Sequence, residues 1–236
     1  MITHDVRNFN CEVEIVNQLT YDIRLIRLKI TEDALLKFNA GQYAKVVFPN
    51  SIEKYYSIAS IPGDTGIEFH IRRSAEDSSS SHFILDQLKV GDHVFVTAPM
   101  GNSYFRSYHK GPILCVAGGS GMAPIRCIVE TALKENIDRE IHLYFGVRDE
   151  HDIYFEERFS SLASAHKNFY FTPVLSEPVG KTDRRKGFVH EAVAADLIKF
   201  NGWKAYLCGP PIMVESVSKL LQDRGLDDDQ IYADSY

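Results

Sequence analysis

The run Ile113-Leu114-Cys115-Val116-Ala117-Gly118-Gly119-Ser120-Gly121-Met122-Ala123-Pro124 constrains this chain more than any other. It reads as an apolar strand, a turn that only glycine-rich sequence can make this tightly, and a helix with proline in its first turn, where a missing N–H costs nothing. Three glycines in four residues also leave the main chain free to approach a phosphate, and a helix N-terminus favours an anion. The helix is expected over 123–136, with Ile125, Ile128, Val129, Ala132 and Leu133 on one side. Taken alone, the turn is a weak signal that also admits a strand-to-helix connection that binds nothing, because its spacing departs from the usual dinucleotide fingerprint.

Around this run the chain changes rhythm. Before it, β-rich stretches at 11–16, 23–30, 42–48, 55–59, 67–71 and 93–98 are separated by Asn39-Ala40-Gly41, Pro49-Asn50, Pro62-Gly63-Asp64 and Gly91-Asp92. With one helix expected at 80–88, this pattern predicts a small antiparallel β-barrel. From Gly111 onward, strands at 113–117, 140–146, 169–175, 205–208 and 230–232 alternate with helices starting near Ala123, Tyr154, His190 and Pro211. Such alternation predicts a five-stranded parallel, doubly wound α/β domain whose ligands bind beyond the carboxyl ends of the strands. The predicted division is 1–109 and 110–236.

Composition narrows the function. A chain of 236 residues with a net charge of −6 is not built to bind nucleic acid through its phosphates. No apolar run is as long as a membrane span, and the first residues lack a secretory pattern, so a cytoplasmic protein is expected. Cys11, Cys115, Cys127 and Cys208 are too scattered for a zinc or iron–sulfur loop and read as free thiols; no histidine spacing suggests a metal. Gly180-Lys181-Thr182 lacks the first glycine of a phosphate loop, and Met122 stands where a nucleophile elbow needs glycine. Arg184-Arg185-Lys186 reads as a solvated charge run or as a docking point for an acidic redox partner.

Four motifs in order now carry a resemblance: Tyr55-Tyr56-Ser57-Ile58-Ala59-Ser60, Gly118-Gly119-Ser120-Gly121, Cys208-Gly209-Pro210-Pro211 and the last residues Asp234-Ser235-Tyr236. The chain resembles, over nearly its full length, the ferredoxin–NADP reductase superfamily, and within it the flavin/NADH modules of bacterial oxygenase reductases. That resemblance implies a flavin held on the strand carrying Lys54, Tyr55, Tyr56 and Ser57, with Tyr56 on the ring, Ser57 near its N5 atom, and Lys54 where the family has arginine. Lysine keeps the charge but loses the bidentate fork. A second flavin segment would run from His70, Ile71 and Arg72 to Ser79 and Ser80, with Glu76-Asp77 standing where the family has a glycine pair. FAD is the expected flavin, with FMN the alternative.

For the second half, the resemblance implies a pyridine-nucleotide pyrophosphate on Gly118, Gly119, Ser120 and Gly121. Cys208, with Gly209 and Pro210, would lie beside the nicotinamide and shape its pocket, and Tyr236 would cover a flavin face and yield to the nicotinamide. Ser57, Cys208 and Tyr236 are thus the expected catalytic residues. Glu177 would accept from the adenine ribose and repel a 2′-phosphate, favouring NADH over NADPH. The implied activity is hydride transfer from NADH to flavin, then electron delivery to an iron–sulfur protein such as a ferredoxin or oxygenase component. A flavin reductase acting on free flavin and a non-catalytic relative of the same fold stand as alternatives.

Overall fold

The structure, a computed structural model, describes residues 4–73, 82–135 and 138–236. Its first half forms β1 (Arg7–Gln18), β2 (Ile23–Ile30), β3 (Tyr43–Phe48), β4 (Ile52–Ser57), β5 (Gly66–Arg72) and β6 (His93–Met100), paired antiparallel in the order β4-β3-β6-β1-β2-β5. Period-two burial drives the curl: Ala44, Val46 and Phe48 of β3 point inward with Phe9, Cys11 and Val13 of β1, while their neighbours are less buried. β4 and β5, the two ends of the sheet, approach without forming a ladder. They are bridged by the Ala59 amide donating to the Glu68 carbonyl at 2.8 Å and by the Tyr56 and Phe69 rings, 6.1 Å apart. The result is a half-barrel with an open seam.

The second half holds β7 (Ile113–Gly118), α1 (Met122–Lys134), β8 (Ile141–Val147), α2 (Glu156–Ala165), β9 (Phe169–Leu175), β10 (Arg185–Lys186), α3 (Val189–Asp196), β11 (Lys204–Gly209), α4 (Pro211–Asp223) and β12 (Ile231–Ser235). All pair in parallel in the order β10-β9-β8-β7-β11-β12, with β7 and β11 buried throughout. The sheet therefore has six strands, not the expected five. β10 escapes sequence reading because it is two charged residues long; Arg185 pairs with Val174 of β9 and is fixed by ion-pairing to Asp196 at 2.6 Å. Arg184 likewise binds Glu156, so the two arginines of this run are internally paired rather than simply solvated, while Lys186 is exposed. The helix expected at 80–88 is also corrected. Among the described residues it is one π-type turn, Phe83–Gln87, which buries Ile84 and Leu85 before the chain turns extended at Leu88.

One hydrophobic core runs through both halves, joining Phe38, Ala40 and Ile58 to Met122, Ile125 and Ile128 of α1. Beside it lies an ionic chain. Glu68 of β5 pairs with Arg126 of α1, whose Nε donates to Glu130 Oε1 at 2.9 Å, and Arg158 of α2 grips the same carboxylate at 2.5 and 2.7 Å. Burial alone would raise the Glu68 carboxyl, but the His70 hydrogen bond and Arg126 outweigh it and hold it below its ordinary value. Its stabilising contribution is therefore full above the free carboxylate range and is lost as pH falls through the lowered value. Glu68→Gln is expected to flatten the acid limb of a stability–pH curve below pH 4.5. Glu130→Gln leaves two guanidiniums around one neutral amide; a loss of about 2–3 kcal/mol is expected, seen as a fall of roughly 5–10 °C in Tm. A shift under about 2 °C would show that this carboxylate does not anchor α1 to α2.

Candidate functional site

Loops from several strands gather at the carboxyl edge of the parallel sheet. β7 ends in Gly118, and Gly119–Gly121 make a single 3-10 turn into α1; β11 ends in Gly209, and Pro210 leads into α4. A Cβ on Gly121 would stand 2.1 Å from the Cys208 carbonyl oxygen, one on Gly118 2.8 Å from Met213 Sδ, and one on Gly209 3.0 Å from the Gly118 nitrogen. These three glycines let two loops lie directly on each other. Gly119 is different: its φ is +51°, and a Cβ there would face Arg72 and the Tyr236 hydroxyl. Of the turn's glycines, it is the one turned toward the opposite sheet.

Beside the turn lies a cleft of about 330 Å³ lined by Gly118, Gly119, Arg72, Arg148, Glu177 and Pro210, among others. Both sheets contribute to it. Asp22 Oδ2 accepts from Arg72 Nε at 2.8 Å and lies 3.7 Å from Arg148 Nη2, while Arg148 Nε also donates to Asp152 at 3.0 Å. Two guanidiniums and the first two glycines of the turn that leads into α1 thus meet on one concave surface, a combination that suits phosphate oxygens.

The parallel register pairs Cys208 with Asp234 and Gly209 with Ser235, so Tyr236 falls just past the sheet edge. Its hydroxyl donates to the Gly118 carbonyl at 2.5 Å and accepts from the Gly121 amide at 2.9 Å. Tyr236 is 52% exposed, yet burial of its hydroxyl end, opposed by the Ser120 hydrogen bond and reinforced by Cys208, pushes its pKa up to about 12. Tyr236 therefore occupies a free N–H of the helix N-terminus. Cys208 is buried beneath the turn, and burial, with Asp234 adding to it, pushes its thiol up so that it stays protonated.

On the half-barrel, Lys54 and Tyr56 share one face of β4, and Ser57 closes the strand, all half-buried. The Tyr56 ring lies 6.2 Å from Phe48 at the open seam. Three more of the expected residues lie on other surfaces of the half-barrel. Tyr55 alternates to the outer face, 62% exposed and edge-on to Tyr43; Ile71 is buried in the half-barrel core; His70 turns toward Tyr154 and Phe155 of the other half. Ser79 and Ser80, with Glu76-Asp77, lie outside the described residues. Sequence reading missed Arg148, Asp22 and Tyr154. Arg148 could have been found as the first charged residue past β8 on the ligand-binding edge; Asp22, in the β1–β2 hairpin, carries no such signal.

The residues fit two flat, phosphate-bearing ligands. The cleft offers glycine backbone and two arginines; the seam offers an aromatic face, a hydroxyl, an ammonium and two unladdered strand edges. What the geometry defines is a two-part oxidoreductase that binds a flavin on one sheet and a pyridine nucleotide on the other. Residues 10–105 match the family described as Oxidoreductase FAD-binding domain and residues 115–219 the Oxidoreductase NAD-binding domain. Over 236 residues the chain is 39% identical to the ferredoxin–NAD(P)(+) reductase component of the naphthalene 1,2-dioxygenase/salicylate 5-hydroxylase systems of Ralstonia sp, covering 100% of this chain and 71% of that one. It is 34% identical to the corresponding component of the Pseudomonas putida naphthalene 1,2-dioxygenase system, again over 100% and 71%. The crystal structure of the Amycolatopsis cytochrome P450 reductase GcoB superposes with a TM-score of 0.92 at 34% identity, over 100% of this chain and 71% of that one. The chain belongs to the ferredoxin reductase-like family of FAD- and NAD-binding oxidoreductases and is an NAD(P)H-dependent flavin oxidoreductase.

Because Gly121 touches backbone rather than a flexible side chain, Gly121→Ala forces the two loops apart. A Tm drop of at least about 5 °C is expected, together with loss of nucleotide protection against unfolding. An alanine variant that melts like the parent would show that the loops do not need this contact.

Proposed function

We propose that this chain takes hydride from NADH onto a bound FAD held by residues 1–109 and passes the electrons to an iron–sulfur acceptor protein. The observation that carries the reading is the cleft lined from both sheets, with the glycine turn, Arg72 and Arg148 on one concave surface. The backbone of Gly118, Gly119, Ser120 and Gly121 and the α1 N-terminus hold the pyrophosphate of the nucleotide, and the two arginines neutralise it. Glu177 accepts from the adenine ribose and repels a 2′-phosphate. Cys208, Gly209 and Pro210 shape the nicotinamide pocket, with the neutral thiol excluding water rather than acting as a nucleophile. Tyr236 releases the glycine turn as the nucleotide enters.

On the half-barrel, Tyr56 lies against the flavin ring, Ser57 hydrogen-bonds at its edge and Lys54 neutralises its phosphate. Bound FAD supplies the exchange between two-electron uptake and one-electron release; the protein supplies alignment and a dry site. The relatives from Ralstonia and Pseudomonas are reductase components of oxygenase systems, which supports an iron–sulfur ferredoxin or oxygenase component as the acceptor. The four free, buried cysteines suit the reducing cytoplasm, and no helix among the described residues is long and apolar enough to cross a membrane.

Anaerobic titration with NADH is expected to bleach the flavin absorbance at one equivalent, and to do so at far lower concentration than NADPH. Failure to bleach would end the reading, and loss of the yellow colour on gel filtration would move it to a reductase of free flavin. Glu177→Gln is expected to narrow the NADH-over-NADPH preference in kcat/KM about tenfold, or ~1.4 kcal/mol, chiefly by improving NADPH.

A further inference from the structure

Tyr154 belongs to none of the roles above, yet its hydroxyl joins the glycine turn to the half-barrel. It is 4% exposed, its hydroxyl lies 3.0 Å from the Gly119 carbonyl oxygen and 3.4 Å from His70 Nδ1, and His70 Nε2 lies 3.3 Å from Glu68 Oε1. The Gly119 carbonyl shares its peptide plane with the Ser120 N–H, and in a trans peptide the two point in opposite directions. That carbonyl accepts from the Met122 N–H within the turn and from Tyr154 outside it, and these two donors together aim that N–H.

Proton counting orders the chain. Tyr154 has one hydroxyl proton and faces two potential acceptors, Gly119 oxygen and His70 Nδ1. Glu68, anchored by Arg126, is an acceptor only, so His70 Nε2 must carry a proton toward it. Only when Nδ1 is protonated as well can Tyr154 give its proton wholly to Gly119. The groups facing His70 are Glu68 on β5, Arg126 and Glu130 on α1, and Tyr154 and Phe155 ahead of α2. Burial pulls the imidazole down and the Glu68 hydrogen bond pulls it up, with the net direction below its ordinary value.

We infer that Tyr154 is a positioning residue for the pyridine nucleotide: its hydroxyl fixes the Gly119–Ser120 peptide for the pyrophosphate, and His70, backed by Glu68, decides whether that hydroxyl's proton points at the turn. The inference rests on the dinucleotide reading of the cleft. As pH rises and Nδ1 loses its proton, the tyrosine proton is drawn to the imidazole, the Gly119 carbonyl keeps the Met122 N–H but loses its side-chain donor, and the nucleotide binds more weakly.

The test uses the flavin-loaded protein, NAD+ binding between pH 5 and 8, and NADH oxidation with ferricyanide as acceptor. Tyr154→Phe, which keeps the ring and removes only the hydroxyl, is expected to weaken NAD+ binding and raise the NADH KM by about three- to tenfold at the acid end. Its kcat should stay within about twofold and its Kd should no longer change with pH as the parent's does. A variant that binds like the parent, or that keeps the parent's pH slope, overturns the inference. Should Tyr154→Phe fail to fold, His70→Asn, whose amide N–H replaces protonated Nδ1, is expected to give a flat Kd against pH; a parental slope there also overturns it. If the parent itself binds no NAD+, the reading of the cleft has failed, not the placement of Tyr154.

Discussion

The site is built on a contact that leaves no room for side chains. Gly121 rests on the Cys208 carbonyl, and Gly118 and Gly209 meet backbone to backbone with Met213 packed over them. Because that contact is made of main chain, the positions of the α1 N-terminus, the β11 edge and Pro210 are set together and cannot drift independently. The cleft inherits its shape from this, and so does the place where Tyr236 meets the turn. Glycine at these points is therefore a packing requirement first, and only Gly119 has the left-handed backbone and the cleft-facing side that a ligand-contact argument needs.

A second constraint fixes how the two sheets meet. The shared core supplies the adhesion, since the apolar surface of α1 is buried in the same cluster as the half-barrel interior. The charges supply the register. Glu68, Arg126, Glu130 and Arg158 form a chain that one orientation of α1 satisfies, and Phe155, held at φ +60°, lays its ring under the Arg126 guanidinium at 4.5 Å. A bulky residue in the left-handed region is strained, and its neighbours over-determine it here. The same stretch presents Tyr154 to the glycine turn, so the interface and the nucleotide surface share their supports.

Much of this was legible in the chain, and the reasons differ from element to element. The buried β7 run and the proline-bearing first turns of α1 and α4 carry strong local signals, because period and breaker residues act within a few positions. β10 carried none: two charged residues become a strand only because β9 offers an edge and Asp196 a partner. The residues of the site divide in the same way. Gly118, Gly119, Glu177 and Pro210 stand next to strand ends and could be named from the order of elements. Tyr55 and Ile71 sit beside residues that do face the cleft or seam, and alternation along a strand sends them elsewhere.

By itself, then, the sequence determined the two kinds of sheet, their order, the turn that opens α1 and the class of ligand such a turn admits, since all of these follow from periodicity, glycine and proline over short spans. Only the tertiary structure decided which groups meet across the cleft. Asp22, Arg72 and Arg148 lie far apart in the chain, as do His70, Tyr154 and Gly119, and nothing local links them; long-range packing of one sheet against the other brings them within ion-pair or hydrogen-bond reach. Pairing of that kind depends on the whole fold, because the surfaces that carry those side chains exist only after both cores have formed.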